Sequence, residues 1–313
     1  MDTVAIVIEE PGKLALNRVA LVPPEDGDVV VDIEWSGIST GTERLLWTGD
    51  MPPFPGMDYP LVPGYESVGR IVESGPAADL KVGQRVFVPG ATCYVDAHGL
   101  FGGAARRVVV SSDRVLPIED DLGERGVLIA LAATAHHALS AEGARPPDLI
   151  IGHGTLGRLL ARLAVAKGFD APTVWERAPD RSEGADDYPV VHPDDDGRHD
   201  YSSIYDASGD SSVLDTLIGR MGFGGEIVLA GFYSQRLSFA FAPAFMREAR
   251  IRIAAEWKKS DIQAVRALMD ADLLSLDNLI THTSKPEEAA AAYRTAFGDP
   301  ACLKMVLDWR AVQ

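Results

Sequence analysis

The sequence predicts an α/β protein in which a β-rich first module is followed by a doubly wound parallel sheet. Residues 28–35, DVVVDIEW, alternate apolar and acidic side chains, which is the pattern of a half-buried strand. Beyond about residue 122, short apolar strands alternate with helical segments, as in a parallel sheet covered by helices. The glycine-rich stretch GHGTLG (152–157) separates the first of these strands from its helix. Together these three observations predict the fold class.

In the first module, β-like runs follow one another and are bounded by glycine or proline: 67–75, 84–90 and 106–118. In the second, the nearly all-apolar segment 126–139 predicts a buried helix. From about residue 258 the tail has two amphipathic helical segments and ends in the apolar run CLKMVLDW, which predicts a last strand.

The composition excludes several classes of protein. The 313 residues include 46 Asp and Glu against 29 Lys and Arg, a formal charge of −17, so nucleic acid is not an expected partner. Two cysteines, Cys93 and Cys302, exclude a disulfide framework and a four-cysteine zinc lobe. No basic leader and no apolar run long enough for a transmembrane segment are found, so we expect a soluble, cytoplasmic protein.

The stretch GHGTLG matches the dinucleotide fingerprint in its expected context, between the strand DLII and an amphipathic helix. Gly152 permits a tight turn, Gly154 lets the backbone approach a pyrophosphate, and Gly157 lets helix and strand pack closely. Thr155 and Leu156 begin the helix, whose free N–H groups favour an anion. A glycine turn without a ligand is the alternative interpretation.

Glu176 ends the next strand, about 20 residues after the glycines, where an acid is expected to bind the adenine ribose. A 2′-phosphate about 4 Å from this carboxylate would meet about 1–4 kcal/mol of repulsion per unit charge. NAD is therefore the predicted cofactor. The neighbouring Arg177 would partly offset this preference by binding a phosphate.

The order of several motifs resembles the medium-chain dehydrogenase/reductase superfamily along essentially the whole chain. The motifs are SGISTGTE, PGYESVGRIVESG, VGQRV, ATAHHAL, GHGTLGRLLA, YDASG, GGEIVLAGF and CLKMVL. The resemblance implies a GroES-like catalytic domain at 1–118, a Rossmann domain at 119–256, and a C-terminal segment at 257–313 that returns to the catalytic domain. Family members often pair through the edge strand of the nucleotide domain, so a homodimer is an expectation.

The resemblance also predicts a zinc-free member. Ser39, Tyr65 and Ala130 occupy the positions of the zinc ligands in related alcohol dehydrogenases, and they do not supply a thiolate/imidazole site. We therefore predict no metal. The stretch GISTG around Ser39 also matches the nucleophile elbow of a serine hydrolase, but the alternating strand before it argues against that alternative.

Without zinc, a base must take the alcohol proton as the hydride leaves. Glu66, retained beside the missing histidine, is the first candidate, with Tyr65 as an alternative or an orienting partner. A purely structural role for Glu66, capping a turn or pairing with an arginine, is the other interpretation. A relay in the same site would use these neighbouring groups: Ser39, Thr40, Thr42 and Glu43.

Further cofactor contacts are implied only by the resemblance: Thr134, Ala207, Ser208, Gly209, Gly231, Phe232, Thr40 and Lys304. Lys304 would bind the pyrophosphate; a solvated charge at a strand end is its alternative. His137 is expected to pack structurally, while His136 would reach the substrate or its central magnesium. Tyr94 and His98 would either border the site or lie on the surface.

Some stretches of the first module resemble the superfamily members that oxidise the 3-(1-hydroxyethyl) group of a bacteriochlorophyllide to an acetyl group in bacteriochlorophyll a biosynthesis. The stretches are WSGISTGTERLLWTGDMPPFPGM, YPLVPGYESVG, FVPGATCYVD and LFGGAA. They imply a small-molecule tetrapyrrole substrate. A zinc-free quinone or enoyl reductase preferring NADPH is an alternative against which Glu176 argues. A cofactor-binding protein without catalysis is another.

Overall fold

A computed structural model describes residues 1–53, 55–185 and 187–312. Phe54, which belongs to one of the stretches that carry the resemblance, lies outside the described residues. The chain divides into two compact units. Unit 1 comprises Met1–Ala130 and Leu279–Gln313, and unit 2 comprises Leu131–Asn278.

The first strands and helix of unit 1 are β1 (Asp2–Glu10), β2 (Lys13–Ala20), β3 (Asp28–Ile38), α1 (Thr42–Thr48), β4 (Leu61–Val62), β5 (Ser67–Ser74), β6 (Arg85–Val88), β7 (His98–Gly99), β8 (Arg107–Ser111) and β9 (Leu116–Pro117). The next elements in the chain are α2 (Ile129–Ser140), β10 (Leu149–Ile151), α3 (Thr155–Ala166), β11 (Thr173–Trp175), β12 (Val190–Val191), β13 (Tyr201–Asp206), α4 (Leu214–Arg220), β14 (Met221–Leu229), α5 (Phe241–Met246), β15 (Arg250–Ile253) and α6 (Lys259–Asp270). The chain ends with β16 (His282–Ser284), α7 (Ala289–Gly298) and β17 (Met305–Asp308).

Unit 1 is built on two sheets. One has the order β2-β1-β4-β7, and the other has the order β16-β17-β3-β5-β6-β9, with β8 also paired to β3. Strand β3 lies in the middle of the second sheet, between β17 and β5. Its apolar residues, including Val29, Val31 and Ile33, are therefore completely buried. The β-rich first module predicted from the sequence is confirmed.

The last strand of the chain lies beside β3. Strand β17 pairs antiparallel with β3, with Met305 opposite Ile38 and Asp308 opposite Trp35. This pairing brings the C-terminal segment next to the turn that follows β3, and it therefore positions residues of that segment in the site described below.

Unit 2 contains a parallel sheet in the order β12-β11-β10-β13-β14-β15. The order reverses between β10 and β13, and the crevice at the carboxyl ends of these strands is where such sheets bind their ligands. The predicted doubly wound parallel sheet is confirmed. Its sixth strand, β15, was not anticipated from the sequence.

The bounds of the units differ from the predicted domains at two points. The first boundary between the units falls after Ala130 and not after residue 118, because a 3₁₀ segment at Asp120–Leu128 precedes α2. The second falls at Leu279, so that α6 belongs to unit 2. Helix α6 is held there by Asp261, whose carboxylate hydrogen-bonds with His136 and His137 of α2.

None of the helices in the described parts of the chain combines the length and the apolar composition needed to cross a lipid bilayer.

Candidate active site

The turn after β3 holds Ser39 in a fixed orientation. The Ser39 N–H donates to Glu43 Oε1 at 3.0 Å, and the Glu43 N–H donates to the Ser39 carbonyl at 3.0 Å. This reciprocal pair closes the turn that leads from β3 into α1, and the acidic side chain in the first turn of α1 also favours the helix dipole. Leu46 of the same helix is buried in an apolar cluster with Ile8 and Leu61. The turn is thus fixed by the hydrogen bonds between Ser39 and Glu43 and by the packing of Leu46.

Tyr65 contacts Ser39 through its side chain. The phenol oxygen lies 2.7 Å from Ser39 Oγ, and either oxygen can be the donor. The ring packs edge-on against Phe101 at 5.3 Å. Burial raises the pKa of Tyr65 well above its ordinary value, the charge of Glu66 raises it further, and hydrogen bonds with Ser39 and Thr42 oppose the rise. The phenol therefore stays neutral at neutral pH.

Glu66 forms a buried ion pair with Lys304. The Lys304 ammonium donates to Glu66 Oε2 at 2.7 Å and to the Ile38 carbonyl at 3.2 Å. The two residues are 0% and 2% exposed. The other carboxylate oxygen, Oε1, is buried without a hydrogen-bond partner among the described residues. A Cβ at Gly37 would collide with Glu66 Oε2, which explains the first glycine of GISTG.

This ion pair changes the interpretation of Lys304. The alternative of a solvated charge at a strand end is wrong, because the side chain is buried. The pyrophosphate contact implied by the resemblance stays a prediction, since the ammonium is held by Glu66 and the Ile38 carbonyl. The structural alternative for Glu66 named an arginine as its partner; the observed partner is the lysine Lys304.

Glu43 is a second buried carboxylate beside the same turn. Its Oε2 accepts a hydrogen bond from the Tyr293 hydroxyl at 2.6 Å, and Tyr293 lies on α7, far away in the sequence. Burial raises the pKa of Glu43 to about 7, although the hydrogen bonds from Tyr293 and Ser39 lower it. Tyr293 was missed by the sequence analysis, because nothing in the alanine-rich segment around it marks a site.

The remaining unit 1 candidates are placed as follows. Thr40 is exposed in the turn, and Thr42 is partly buried at the start of α1. Tyr94 is buried and its hydroxyl donates to the Gly102 carbonyl at 2.5 Å, so its role is structural. His98 is exposed.

A zinc ion of the kind bound by related alcohol dehydrogenases does not fit these side chains. Ser39 and Tyr65 offer two hydroxyls that hydrogen-bond to each other, and Ala130 offers a methyl group. In the described ranges of the chain, no group of three or more His, Cys, Asp or Glu side chains is arranged to hold a metal ion.

In unit 2, the glycine turn has the backbone geometry that a dinucleotide needs. Gly152 has φ of +92°, a conformation that disfavours other residues. A Cβ at Gly157 would collide with the Gly152 carbonyl, whereas the space above Gly154 is open. Helix α3 begins at Thr155 and presents its N-terminus to that open space. The turn therefore fits the pyrophosphate of a dinucleotide.

Glu176 lies at the edge of this turn. Its Oε2 accepts the His153 N–H at 2.9 Å, and its Oε1 accepts the N–H groups of Arg177 and Ala178, both at 2.8 Å. A carboxylate has about four acceptor positions, so one on Oε2 remains for a ribose hydroxyl. The Arg177 side chain is exposed.

A buried pair, His153 and Arg158, fixes the loop that follows Glu176. Arg158 donates to the carbonyls of His153, Arg181, Glu183 and Gly184. His153 contacts the Arg181 carbonyl and the Tyr188 hydroxyl. Burial lowers the pKa of His153 to about 4, so the imidazole is neutral. This pair was missed, because His153 was read only as a variable position between glycines.

Ser208 and Gly231 lie at the ends of β13 and β14. The buried Asp206 accepts hydrogen bonds from the Ser208 N–H and hydroxyl, and from the Tyr233 hydroxyl at 2.7 Å. Ser208 itself is exposed, and its backbone passes near Gly152. The structure thus brings Ser208 to the glycine turn, at the edge where sheets of this kind bind ligands.

Thr134 is partly buried on α2, two and three residues before His136 and His137. His136 contacts Asp261 with Nδ1 at 2.9 Å and Ser140 with Nε2 at 3.2 Å. Both ring nitrogens are therefore occupied, and the expectation that His136 reaches a substrate is wrong. His137 contacts the other oxygen of Asp261 at 2.9 Å, in agreement with the structural role expected of it.

Residues 25–120 match the family described as the alcohol dehydrogenase GroES-like domain. With the parallel sheet of unit 2 after this domain, the chain belongs to the medium-chain dehydrogenase/reductase superfamily, whose alcohol dehydrogenases act on a CH–OH group. A Rhodobacter capsulatus protein named 2-desacetyl-2-hydroxyethyl bacteriochlorophyllide A dehydrogenase is 54% identical over 311 residues, which is 99% of each chain. A Cereibacter sphaeroides protein of the same name is 55% identical over 316 residues, again 99% of each chain.

Solved structures share this fold at lower identity. An alcohol dehydrogenase from Escherichia coli CFT073, complexed with NADH, has a TM-score of 0.83 and 22% identity, covering 98% of this chain and 99% of that one. The 2R,3R-butanediol dehydrogenase of Bacillus subtilis has a TM-score of 0.82 and 20% identity, with the same coverage. These two structures support the fold alone.

Proposed function

We propose that the protein oxidises the 3-(1-hydroxyethyl) group of a bacteriochlorophyllide to the 3-acetyl group, with NAD as hydride acceptor and without zinc, as a step of bacteriochlorophyll a biosynthesis. The observation that carries the proposal is the 54–55% identity, over 99% of the chain, to two proteins named for this substrate. The reaction converts a secondary alcohol and the oxidised cofactor into a ketone, the reduced cofactor and one proton.

The hydroxyls of Ser39 and Tyr65 are the proposed contacts for the substrate alcohol. When bound, the oxidised nicotinamide accepts the hydride from the carbinol carbon. The carbinol lies next to a conjugated macrocycle, and the ketone gains conjugation, so the oxidation is easier than that of an ordinary alcohol. Ser39 and Tyr65 are each able to donate and accept a hydrogen bond, and they would orient the alcohol oxygen as its proton departs.

The proton is proposed to enter the polar cluster behind this pair. Tyr65 stays neutral, because its pKa is raised, and it therefore relays a proton rather than keeping it. Glu66 follows Tyr65 in the chain and has the free acceptor Oε1, so it remains the candidate base of this proposal. Lys304 holds the other oxygen of the carboxylate. Thr42, bonded to Tyr65, completes the relay.

The proposed preference for NAD rests on Glu176. Its remaining acceptor position suits a ribose hydroxyl, while a 2′-phosphate about 4 Å away would meet about 1–4 kcal/mol of repulsion. The other proposed dinucleotide contacts are the turn residues Gly152, Gly154, Thr155, Leu156 and Gly157, together with Arg177, Ser208, Gly231, Thr134, Thr40 and Lys304.

Two copies are proposed to pair through the outer strand of the nucleotide-binding sheet. Strand β15 is at the edge of that sheet and leaves one row of backbone groups unpaired by it. Ile253 of β15 is 73% exposed, and Phe241, Phe245 and Met246 of α5 are exposed as well. Large exposed apolar side chains beside an open edge favour association with a second copy.

The serine hydrolase alternative has little support. Strand β3 runs antiparallel to β5 and β17, whereas the strand before a nucleophile elbow is parallel to its neighbours. The partner of Ser39 Oγ is the phenol of Tyr65, which is not a base at neutral pH. A zinc-free quinone or enoyl reductase remains the closer alternative.

The test incubates purified, chelator-treated protein with 3-(1-hydroxyethyl)bacteriochlorophyllide a and either NAD or NADP. The chlorin absorption and the reduced cofactor are followed together. We expect equal amounts of ketone and NADH, a preference for NAD of about tenfold or more, and no effect of added zinc. No turnover, a requirement for zinc, or faster reduction of a quinone by NADPH would contradict the proposal. Glu176→Gln is the matched variant, and it should lower the preference for NAD.

A further inference from the structure

Two carboxylates are buried beside the Ser39 turn, and they have different partners. Glu66 is paired with the ammonium of Lys304 at 2.7 Å. Glu43, 1% exposed, receives hydrogen bonds from two neutral donors, the Ser39 N–H and the Tyr293 hydroxyl. In the described parts of the chain, no Lys, Arg or His forms an ion pair with Glu43. A proton that enters this cluster would leave Lys304 without a counterion if it stayed on Glu66, but not if it stayed on Glu43.

The groups that face Glu43 come from four parts of unit 1. They are the Ser39 N–H at the end of β3, the Tyr293 hydroxyl of α7, the charge of Glu66 before β5, and the charge of Lys304 before β17. The net effect is a pKa of Glu43 raised to about 7: burial is the largest cause of the rise, the charge of Glu66 adds to it, and the other three groups oppose it. Glu43 therefore changes its charge near neutral pH, whereas a solvated glutamate is already ionised there.

Glu43 is coupled to the Ser39–Tyr65 pair in two ways. It binds the Ser39 backbone, which carries the hydroxyl that contacts Tyr65. Its charge also reaches the phenol, since Glu43 is among the groups that raise the pKa of Tyr65. An ionised carboxylate accepts the Ser39 N–H about twice as strongly as a neutral one. Its negative charge also favours the arrival of a proton from the substrate alcohol.

We propose that Glu43 is a positioning residue whose ionisation state controls the Ser39–Tyr65 pair, so that alcohol oxidation requires Glu43 to be ionised. The proposal rests on the proposed alcohol oxidation. In this proposal, the hydrogen bond from the Tyr293 hydroxyl positions the Glu43 carboxylate and favours its ionised form. The C-terminal segment thus contributes Tyr293 to one carboxylate of the site and Lys304 to the other.

The test compares pH profiles of kcat/KM for wild type, Glu43→Gln and Tyr293→Phe. The wild type should lose activity as the pH falls through about 7. Glu43→Gln has nearly the same shape but cannot ionise; its amide oxygen can still accept the Ser39 N–H, and its amide N–H can donate to the Tyr293 hydroxyl oxygen in place of the bond that Glu43 accepts. This variant should lose the acid limb and be about tenfold slower above it. Tyr293→Phe removes a hydrogen bond that favours the ionised form, so its acid limb should move up by about one pH unit.

A structural role alone would change the height of these profiles and leave the position of the acid limb unmoved. An unmoved limb in either variant therefore overturns the proposal, and Tyr293→Phe decides the matter if Glu43→Gln does not fold. Infrared difference spectra between low and high pH supply a readout that needs no turnover. The band of a buried protonated carboxyl should vanish near neutral pH in the wild type and be missing in Glu43→Gln.

These readouts separate the two hypotheses. If the bacteriochlorophyllide is not oxidised, the proposed function fails, while the infrared titration still shows whether Glu43 changes its charge near neutral pH. If the substrate is oxidised and the infrared band does not depend on Glu43, the proposed function stands and the role of Glu43 is refuted.

Discussion

Single residues in this protein take their properties from their partners. Glu43 and Glu66 are both glutamates, both buried and both beside the same turn. Lys304 pairs with Glu66, whereas Glu43 meets neutral donors and its pKa rises to about 7. His136 shows the same principle, because its contacts with Asp261 and Ser140 occupy both ring nitrogens. The type of a residue therefore predicts its chemistry only after its partner is known.

Removing one partner of the buried ion pair of Glu66 and Lys304 should lower the stability of the protein strongly, whereas replacing both partners should lower it much less. Glu66→Gln or Lys304→Met alone leaves a buried charge unpaired and should lower the free energy of unfolding by about 3–5 kcal/mol. The double variant removes both charges and should lose much less than the sum of the two. Urea unfolding of the four proteins measures this cycle.

Arg18→Met is the control for this cycle, since its partner Asp2 is exposed and the change should be nearly neutral. Additive losses in the double variant would mean that Glu66 and Lys304 do not act as a pair. Activity of the double variant, measured on the proposed substrate, then tests Glu66 as the base: full activity would remove it from the mechanism.

Elements differ in how far the sequence could predict them. The glycine turn was predictable because strand β10, the glycines, helix α3 and Glu176 all lie within a short stretch of chain with a known spacing. The unit 1 site was not, because its contacts join residues 26, 238 and 250 positions apart, namely Ser39–Tyr65, Glu66–Lys304 and Glu43–Tyr293. No local periodicity encodes such distant pairs. The resemblance supplied Ser39, Tyr65 and Glu66, but not Tyr293.

Within the turn between β10 and α3, two glycines should respond differently to alanine. Gly157→Ala places a Cβ against the Gly152 carbonyl, so α3 must shift and the thermal unfolding temperature should fall without any ligand. Gly154→Ala meets open space and has a φ of −75°, which alanine tolerates, so stability should change by less than about 0.5 kcal/mol. Its methyl group would nevertheless occupy the approach to the pyrophosphate, and NAD binding by calorimetry should weaken about tenfold or more.

Gly154→Ala is thus the sharper variant, because it separates binding from folding. Wild-type affinity for NAD in Gly154→Ala would contradict the assignment of this turn as the dinucleotide site. Gly143→Ala provides no equivalent comparison, since its φ of +73° strains any side chain. Gly197→Ala, with open space and no such backbone constraint, is the suitable control outside the turn.

At the scale of the whole molecule, charge and edge structure act in opposite directions on association. The formal charge of −17 makes two copies repel each other, and dissolved salt screens that repulsion. The open edge of β15 and the exposed side chains of α5 favour contact. A dimer held by this edge should therefore become tighter as the salt concentration rises, which is the reverse of an interface held by opposite charges.

Ile253→Lys tests the edge directly. Ile253 is 73% exposed at the end of β15, so a lysine there should not affect the folding of one copy, but it would place two charges at a paired edge. Sedimentation velocity should show a dimer for the wild type and a monomer for the variant. Val82→Lys is the matched control, since Val82 is 63% exposed in unit 1 and its replacement should leave the dimer intact. A wild type that stays monomeric at high salt would exclude the dimer. A dimer that tolerates Ile253→Lys would assign association to another surface.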